Sequence, residues 1–410
     1  MPEAPANDCH NERPVGDRAE RPSPVVLFLV ALRLGLTSFG GPAAHIGYFR
    51  REYVERRGWL DERGFADLLA LCQFLPGPAS SQFGFAVGYQ KGGLAGAVAA
   101  WLGFTLPSAG LMLVFAAGVA GGADWAAAGW LHGLKVAAVA VVAQAVWTMG
   151  RVLCPDRARL LVATAAGAAL WHWPFAGMQM GVIAAGALLG LAIRKPEATA
   201  PHPGPDGGRA GRRGVVWLVV FGVLMVLLPV AAATGPGWAA VFDRFYRVGA
   251  LVFGGGHVVL PLLEAEVVGP GWLSHDTFLA GYGAAQALPG PLFAFAAFLG
   301  SVSSVGPGGM LGGLVALTAV FLPGLLLVLG VWPLWERLRS VAIAQAALRG
   351  ANAAVVGVLA AALVDPVLPA GVTDLRSGGL AVALFAALQW AKLPAWGVVA
   401  AAAGAGWFFL

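Results

Sequence analysis

Apolar residues run along this chain in long blocks, interrupted by Gly and Pro and separated by short polar stretches. The blocks fall near 24–49, 64–90, 93–120, 131–150, 159–173 and 175–193, then at 215–233, and then near 245–263, 276–304, 308–332, 342–364, 376–391 and 394–410. Most approach or exceed the ~20 residues that cross a bilayer as a helix. The pattern predicts an all-α polytopic membrane protein of about thirteen membrane segments, grouped six, one and six.

The grouping reflects an internal duplication. Phe39-Gly40-Gly41, Trp59-Leu60 and Gln73-Phe74-Leu75-Pro76-Gly77-Pro78 return in order, about 213 positions later, as Phe253-Gly254-Gly255, Trp272-Leu273 and Gln286-Ala287-Leu288-Pro289-Gly290-Pro291. The expected organisation is a disordered cytoplasmic tail at 1–23, a first repeat at 24–193, a cytoplasmic linker at 194–214, a connecting transmembrane helix at 215–233 and a second repeat at 234–410. A single helix between two six-segment copies makes them enter the membrane from opposite sides. The repeats should therefore be inverted.

Charge bears on this independently, because cytoplasmic loops collect Lys and Arg. Arg50, Arg51, Arg56, Arg57 and Arg63 follow the first Phe-Gly-Gly, while the counterpart Glu264 to Asp276 has no arginine. Arg151, Arg157 and Arg159 follow the fourth segment, against one Arg and two Asp around Asp365 to Arg376. Full crossing of 24–49 would put the five arginines outside the cell. A turn at Gly40-Gly41-Pro42 and another at Pro76-Gly77-Pro78 instead leave arms too short to span, so two re-entrant hairpins per copy are expected, followed by four spanning helices. This puts the N-terminus inside and Leu410 outside.

Composition agrees. The chain of 410 residues is 58% hydrophobic and 11% charged, against about 25% charged in soluble domains. Its net charge of +5 lies in short clusters between apolar runs, which is topology information and not a nucleic-acid footprint. Cys9, Cys72 and Cys154 have no paired spacing, and the seven scattered histidines, His45 among them, have no metal-ligand spacing. There is no Gly-rich loop ending in Lys-Ser/Thr, so no ATP-driven module is expected.

Candidate chemistry lies where matched breaks interrupt the two copies, the sequence pointer to a transporter binding site. Pro42, Pro78 and Pro291 each follow Gly, an arrangement that starts a helix and turns its N–H groups and positive dipole end toward an anion. Ser80 and Ser81 follow the first Pro-Gly-Pro and could donate hydroxyls, where the second copy has Leu292 and Phe293. Arg33 and Arg247 each stand six residues before their Phe, and a planar guanidinium suits an oxyanion, with snorkelling or pairing to Glu52 or Asp243 as the plain alternative. Gln73 and Gln286 precede the Pro-Gly-Pro turns and could hold ligand or freed backbone. His132 with Lys135, and Arg349 with Asn352, form a weaker matched pair of loop-end positions, and Glu52 matches Glu266.

These motifs resemble those of the chromate ion transporter family. The resemblance rests on Arg33-Leu34-Gly35, Ser38-Phe39-Gly40-Gly41-Pro42-Ala43-Ala44-His45, Trp59, Gln73 through Gln82 and the second-copy equivalents, and it covers nearly all of the chain beyond the tail. It implies a bacterial inner-membrane protein that exports chromate and confers resistance, with sulfate as a related ligand; from the residues themselves no cofactor is expected. The candidate site read from the matched breaks joins Arg33, Phe39, Gly40, Gly41, Pro42, Gln73, Pro76, Gly77, Pro78, Ser80 and Ser81 to Arg247, Phe253, Gly254, Gly255, His257, Gln286, Pro289, Gly290 and Pro291. The second copy departs with Gly256-His257 for Pro42-Ala43, so binding need not be symmetric. A carrier or channel for sulfate or another oxyanion is the rival within transport; a reductase would need a redox pair or cofactor that the sequence does not display. A homodimer is left open.

Overall fold

The computed structural model describes residues 22–120, 129–173, 176–192, 209–253, 259–335 and 342–409. The expected disordered tail and most of the linker lie outside them, as do Gly254, Gly255 and His257. All regular structure among the described residues is helical. The first copy comprises α1 (Pro24–Thr37), α2 (Gly41–Phe49), α3 (Glu62–Phe74), α4 (Ala79–Ala120), α5 (Gly129–Leu153), α6 (Arg157–His172) and α7 (Ala176–Ala192). The connector is α8 (Arg209–Thr234). The second copy follows as α9 (Gly237–Leu251), α10 (Val259–Val267), α11 (His275–Ala287), α12 (Phe295–Val302), α13 (Gly309–Val331), α14 (Ala342–Ala362), α15 (Leu375–Gln389) and α16 (Ala395–Phe409).

The matched motifs break helices where expected. α1 ends after 14 residues and α3 after 13, with α9 and α11 at 15 and 13, all short of a full crossing. α4 runs straight out of the Pro-Gly-Pro turn and breaks at Gly92 and Gly93, where the second copy separates α12 from α13. Among the described residues five helices are long and apolar enough to cross a membrane by themselves, and α1, α7, α15, α16 and the segment Leu292–Val302 that contains α12 are shorter apolar helices.

Side-chain caps close several helix starts at loops, though not those of α9 and α13, and close neither start at the hairpin tips. Asp61 and Asp156 cap α3 and α6, and Ser274 and Asp374 cap the equivalent α11 and α15, each side chain accepting from a first-turn amide. At the tips, α2 begins on Gly40 and the short 3₁₀ turn before α12 begins on Pro291, neither with a side-chain cap. Orphan amides thus stay available at the tips.

Small residues decide the packing. α1 lies on α4 and α9 on α13; a Cβ at Gly35 would come within 2.6 Å of the Phe104 carbonyl oxygen, and one at the matched Gly249 within 2.1 Å of that of Val320. The copies also exchange partners. α5 packs against α15 and α16 of the second copy, while α14 packs against α6 and α7 of the first. Gly133 on α5 meets Ala402, and Gly350 on α14 meets Gly186, each leaving no room for a Cβ. The recurring Leu-His-Gly and Leu-Arg-Gly motifs are therefore contact points where van der Waals packing brings backbones together. α4 and α13 cross in opposite directions, with Trp101 against Phe321 and, farther along α4, Leu113 against Gly313. Beneath the tips, Phe293, Phe295, Phe298 and Phe321 are fully buried.

Candidate functional site

Each Pro-Gly-Pro turn meets the first hairpin of the other copy. The Gly77 amide donates to the Val252 carbonyl at 2.7 Å, and the Gly290 amide donates to the Ser38 carbonyl at 2.9 Å. Val252 and Ser38 stand immediately before the two matched phenylalanines. Gly77 and Gly290 have φ of +119° and +92°, which a side chain rarely adopts. They also need the space: a Cβ on Gly77 would lie 3.1 Å from Cα of Gly324, and one on Gly290 would lie 3.1 Å from Oγ of Ser108. Gly324 and Ser108 each follow the proline inside their own helix, so the exchange between copies is reciprocal.

His45 ties the first-copy side together. It is buried at 1% exposure, with Nε2 3.2 Å from the Ser38 carbonyl and Nδ1 3.0 Å from Ser80 Oγ. A carbonyl only accepts, so Nε2 carries the proton and a neutral ring leaves Nδ1 to accept from the Ser80 hydroxyl. Ser38 thereby holds both His45 and the second-copy Gly290. Gln82, fully buried, donates from Nε2 to the carbonyls of Pro76 at 2.9 Å and Gly324 at 3.1 Å, securing the first turn against α13. The repeat comparison could not single out either residue, because Val259 and Phe295 occupy the corresponding second-copy positions. The signal was the compound motif itself.

Buried donors cluster nearby. Oγ of Ser38, Oγ of Ser81, Oγ1 of Thr105 and Nε2 of Gln286 are buried without a hydrogen-bond partner among the described residues. Each such group costs about 1–3 kcal/mol when unpaired. All are at the turns or beside the backbone on which the turns pack, and they offer neutral donors suited to an oxyanion. Gln286 also hydrogen-bonds Tyr282. Pro76, Pro78, Pro289 and Pro291 line the two turns; Phe39, half-buried, meets Trp396 at 6.0 Å, and Phe253 is half-buried at the end of α9.

Several expected residues are not gathered there. Arg33 is exposed on the outer face of α1 with Leu29 and Leu36 and makes no ion pair among the described residues. Arg247 pairs with the buried Asp243 on its own helix, the plain alternative for that position. Gln73 is exposed, Gly40 lies at the open edge of its turn, and Gly41 and Pro42 begin α2.

The matched Trp and Glu residues have a different task. Glu52 binds Arg56 at 3.0 Å and Arg57 at 2.7 Å, and Arg57 lies 4.9 Å above Trp59. Glu266 binds Arg244 at 3.0 Å, and Arg244 lies 4.7 Å above Trp272. Burial acts to raise the Glu52 carboxyl, but Arg57 and Arg56 outweigh it and hold it below the usual range. Each copy thus anchors its hairpin exit by a carboxylate, a guanidinium and an indole, although the second arginine comes from a different helix.

Similarity to known proteins follows the same division. The chain is 32% identical over 362 residues to a chromate transport protein of Pseudomonas aeruginosa, covering 83% of this chain and 80% of that one. It is 29% identical over 338 residues to a probable chromate transport protein of Synechococcus elongatus, covering 81% and 82%, and 27% identical over 357 residues to a chromate transport protein of Cupriavidus metallidurans, covering 82% and 81%. No solved structure gives a significant match. The model of the chromate transporter family matches residues 25–191 and 239–407, one stretch on each side of α8, and the chain belongs to that family of transporters.

Proposed function

We propose that this chain is a secondary transporter that exports chromate across the bacterial inner membrane, binding the oxyanion between its broken helices at the interface of two inverted repeats. The observation that carries the reading is the reciprocal pair of hydrogen bonds, Gly77 to Val252 and Gly290 to Ser38, which joins each Pro-Gly-Pro turn to the residue before the matched Phe of the other copy. Uncapped helix starts and unpaired neutral donors at that junction are the groups an oxyanion needs. A site without a fixed cation at its centre binds a dianion loosely enough to release it, as transport requires.

The opposite directions of α4 and α13 support inversion. So does the company kept by loops that an inverted topology puts outside: Trp171, Val268 and Asp365 line one cleft, and Lys135 pairs with Asp276 at 2.9 Å. The arginine-rich loop, the N-terminus and the linker are then cytoplasmic and the C-terminus periplasmic. A dianion leaving a cell negative inside gains ~4.6 kcal/mol per 100 mV, since each charge is worth ~2.3. Export therefore needs no energy-coupling domain.

Proteoliposomes holding the purified protein test this. Saturable chromate flux that responds to the membrane potential is expected, and sulfate should compete, being of the same shape and charge. Flux that rises linearly with concentration would make the protein a channel, and sulfate flux without chromate flux would reassign the substrate.

A further inference from the structure

The outer ends of the second-copy hairpins are joined by a pair unlike its first-copy counterpart. His275 at the start of α11 places Nδ1 2.7 Å from Oε1 of Glu264 on α10, and Nε2 3.3 Å from the Pro366 carbonyl beyond α14. The pair lines a cleft of about 1010 Å³ together with Arg244 and Asp365. In repeat register the same two positions are Arg50 and Glu62, which pair at 2.6 Å. The first copy uses a guanidinium, charged at all relevant pH. The second uses an imidazole, which changes charge between about pH 5 and 8.

Both ring nitrogens of His275 face oxygens. A carbonyl cannot donate, and an ionised carboxylate cannot either, so although burial pushes the Glu264 carboxyl up, beside its ionised form only the doubly protonated ring satisfies both neighbours. A neutral ring sets one lone pair against an oxygen and gives up one of the contacts. We infer that Glu264 and His275 form a proton-binding site that fastens α10, α11 and the end of α14 together when His275 is protonated and loosens them when it is not, making transport through the attached hairpins sensitive to pH on that face.

The surrounding charges leave the proton to this pair. Glu266 on α10 is engaged by Arg244 from α9, and Asp276 beside His275 by Lys135 from α5. Asp365 beyond α14 adds negative charge to the cleft. Burial disfavours a charged ring, but Glu264 and the Pro366 carbonyl, with Asp276, more than offset it and raise His275 above its ordinary value. A raised value means that the fastening is complete below the ordinary histidine range and is lost as pH rises through the folded-state value.

The link to flux rests on the transport reading above, whereas the proton site does not, so the test has two readouts. With the full chain in bilayers, a carbon-13 histidine signal absent from His275→Gln should titrate, and its midpoint should fall by about one pH unit in Glu264→Gln. In proteoliposomes, wild-type chromate flux should change severalfold between about pH 5.5 and 8, while His275→Lys, a lasting cation at that position, should flatten the profile. A His275 signal that does not titrate, or whose midpoint Glu264→Gln leaves in place, overturns the proton site whether or not chromate moves. Titration with the same flux profile in wild type and His275→Lys overturns the link to transport. If wild type moves no chromate, the transport reading fails and the titration still decides the proton site.

Discussion

Gly77 donates its amide to the carbonyl of Val252 at 2.7 Å, bonding a turn of the first repeat to the residue that precedes the matched Phe of the second. The positive φ of Gly77 and its contact with Gly324 both bar a side chain. Gly77→Ala should cost about 1–3 kcal/mol and at least tenfold in transport, and Gly290→Ala should behave alike. Gly47, helical with open space around it, is the control, and alanine there should be neutral or stabilising by about 0.5–1 kcal/mol. Thermal unfolding in detergent would show this. Equal melting of the Gly77→Ala and Gly47→Ala proteins would rule out the turn as a constraint.

His45 connects Ser38 to Ser80. His45→Phe keeps an aromatic ring against Phe104 and removes both polar contacts, which should weaken chromate affinity by roughly tenfold through loss of about 1.5 kcal/mol of hydrogen bonding. The measurement is half-saturation of flux. A wild-type value would leave His45 as packing alone.

The two matched arginines should now separate. Arg33→Ala, at an exposed position without an ion pair among the described residues, should leave stability within about 0.5 kcal/mol of wild type. Arg247→Ala strands the buried carboxylate of Asp243 and should cost about 2–4 kcal/mol, less than a fully buried pair because the arginine is partly exposed. Adding Asp243→Asn should restore most of that loss in a double-mutant cycle. No rescue would place the role of Arg247 elsewhere, and a flux defect in a fully stable Arg33→Ala protein would bring Arg33 back to the anion.

Inversion is decided by labelling. In a cysteine-free background, single cysteines near Arg56 and near Gly269 should react with an impermeant maleimide from opposite sides of the membrane. Reaction from the same side would reject inverted repeats.

Much of this molecule was legible before its fold. A high apolar fraction excludes a soluble core, recurrence of Gly and Pro at one offset reveals the duplication, and backbone preference at Gly77 and Gly290 breaks a helix wherever those residues stand. These properties are local or compositional, so the linear chain determined them. Which turn meets which was not local. That Gly290 binds Ser38 instead of a residue of its own copy, that α5 and α14 exchange partners, that Arg33 faces outward, and that His45 and Gln82 hold the junction were all decided by packing. Repeat matching finds positions that the copies share. The contacts that close this junction between the copies join unlike positions far apart in sequence, and only the close approach of glycine-lined helices brings them within reach.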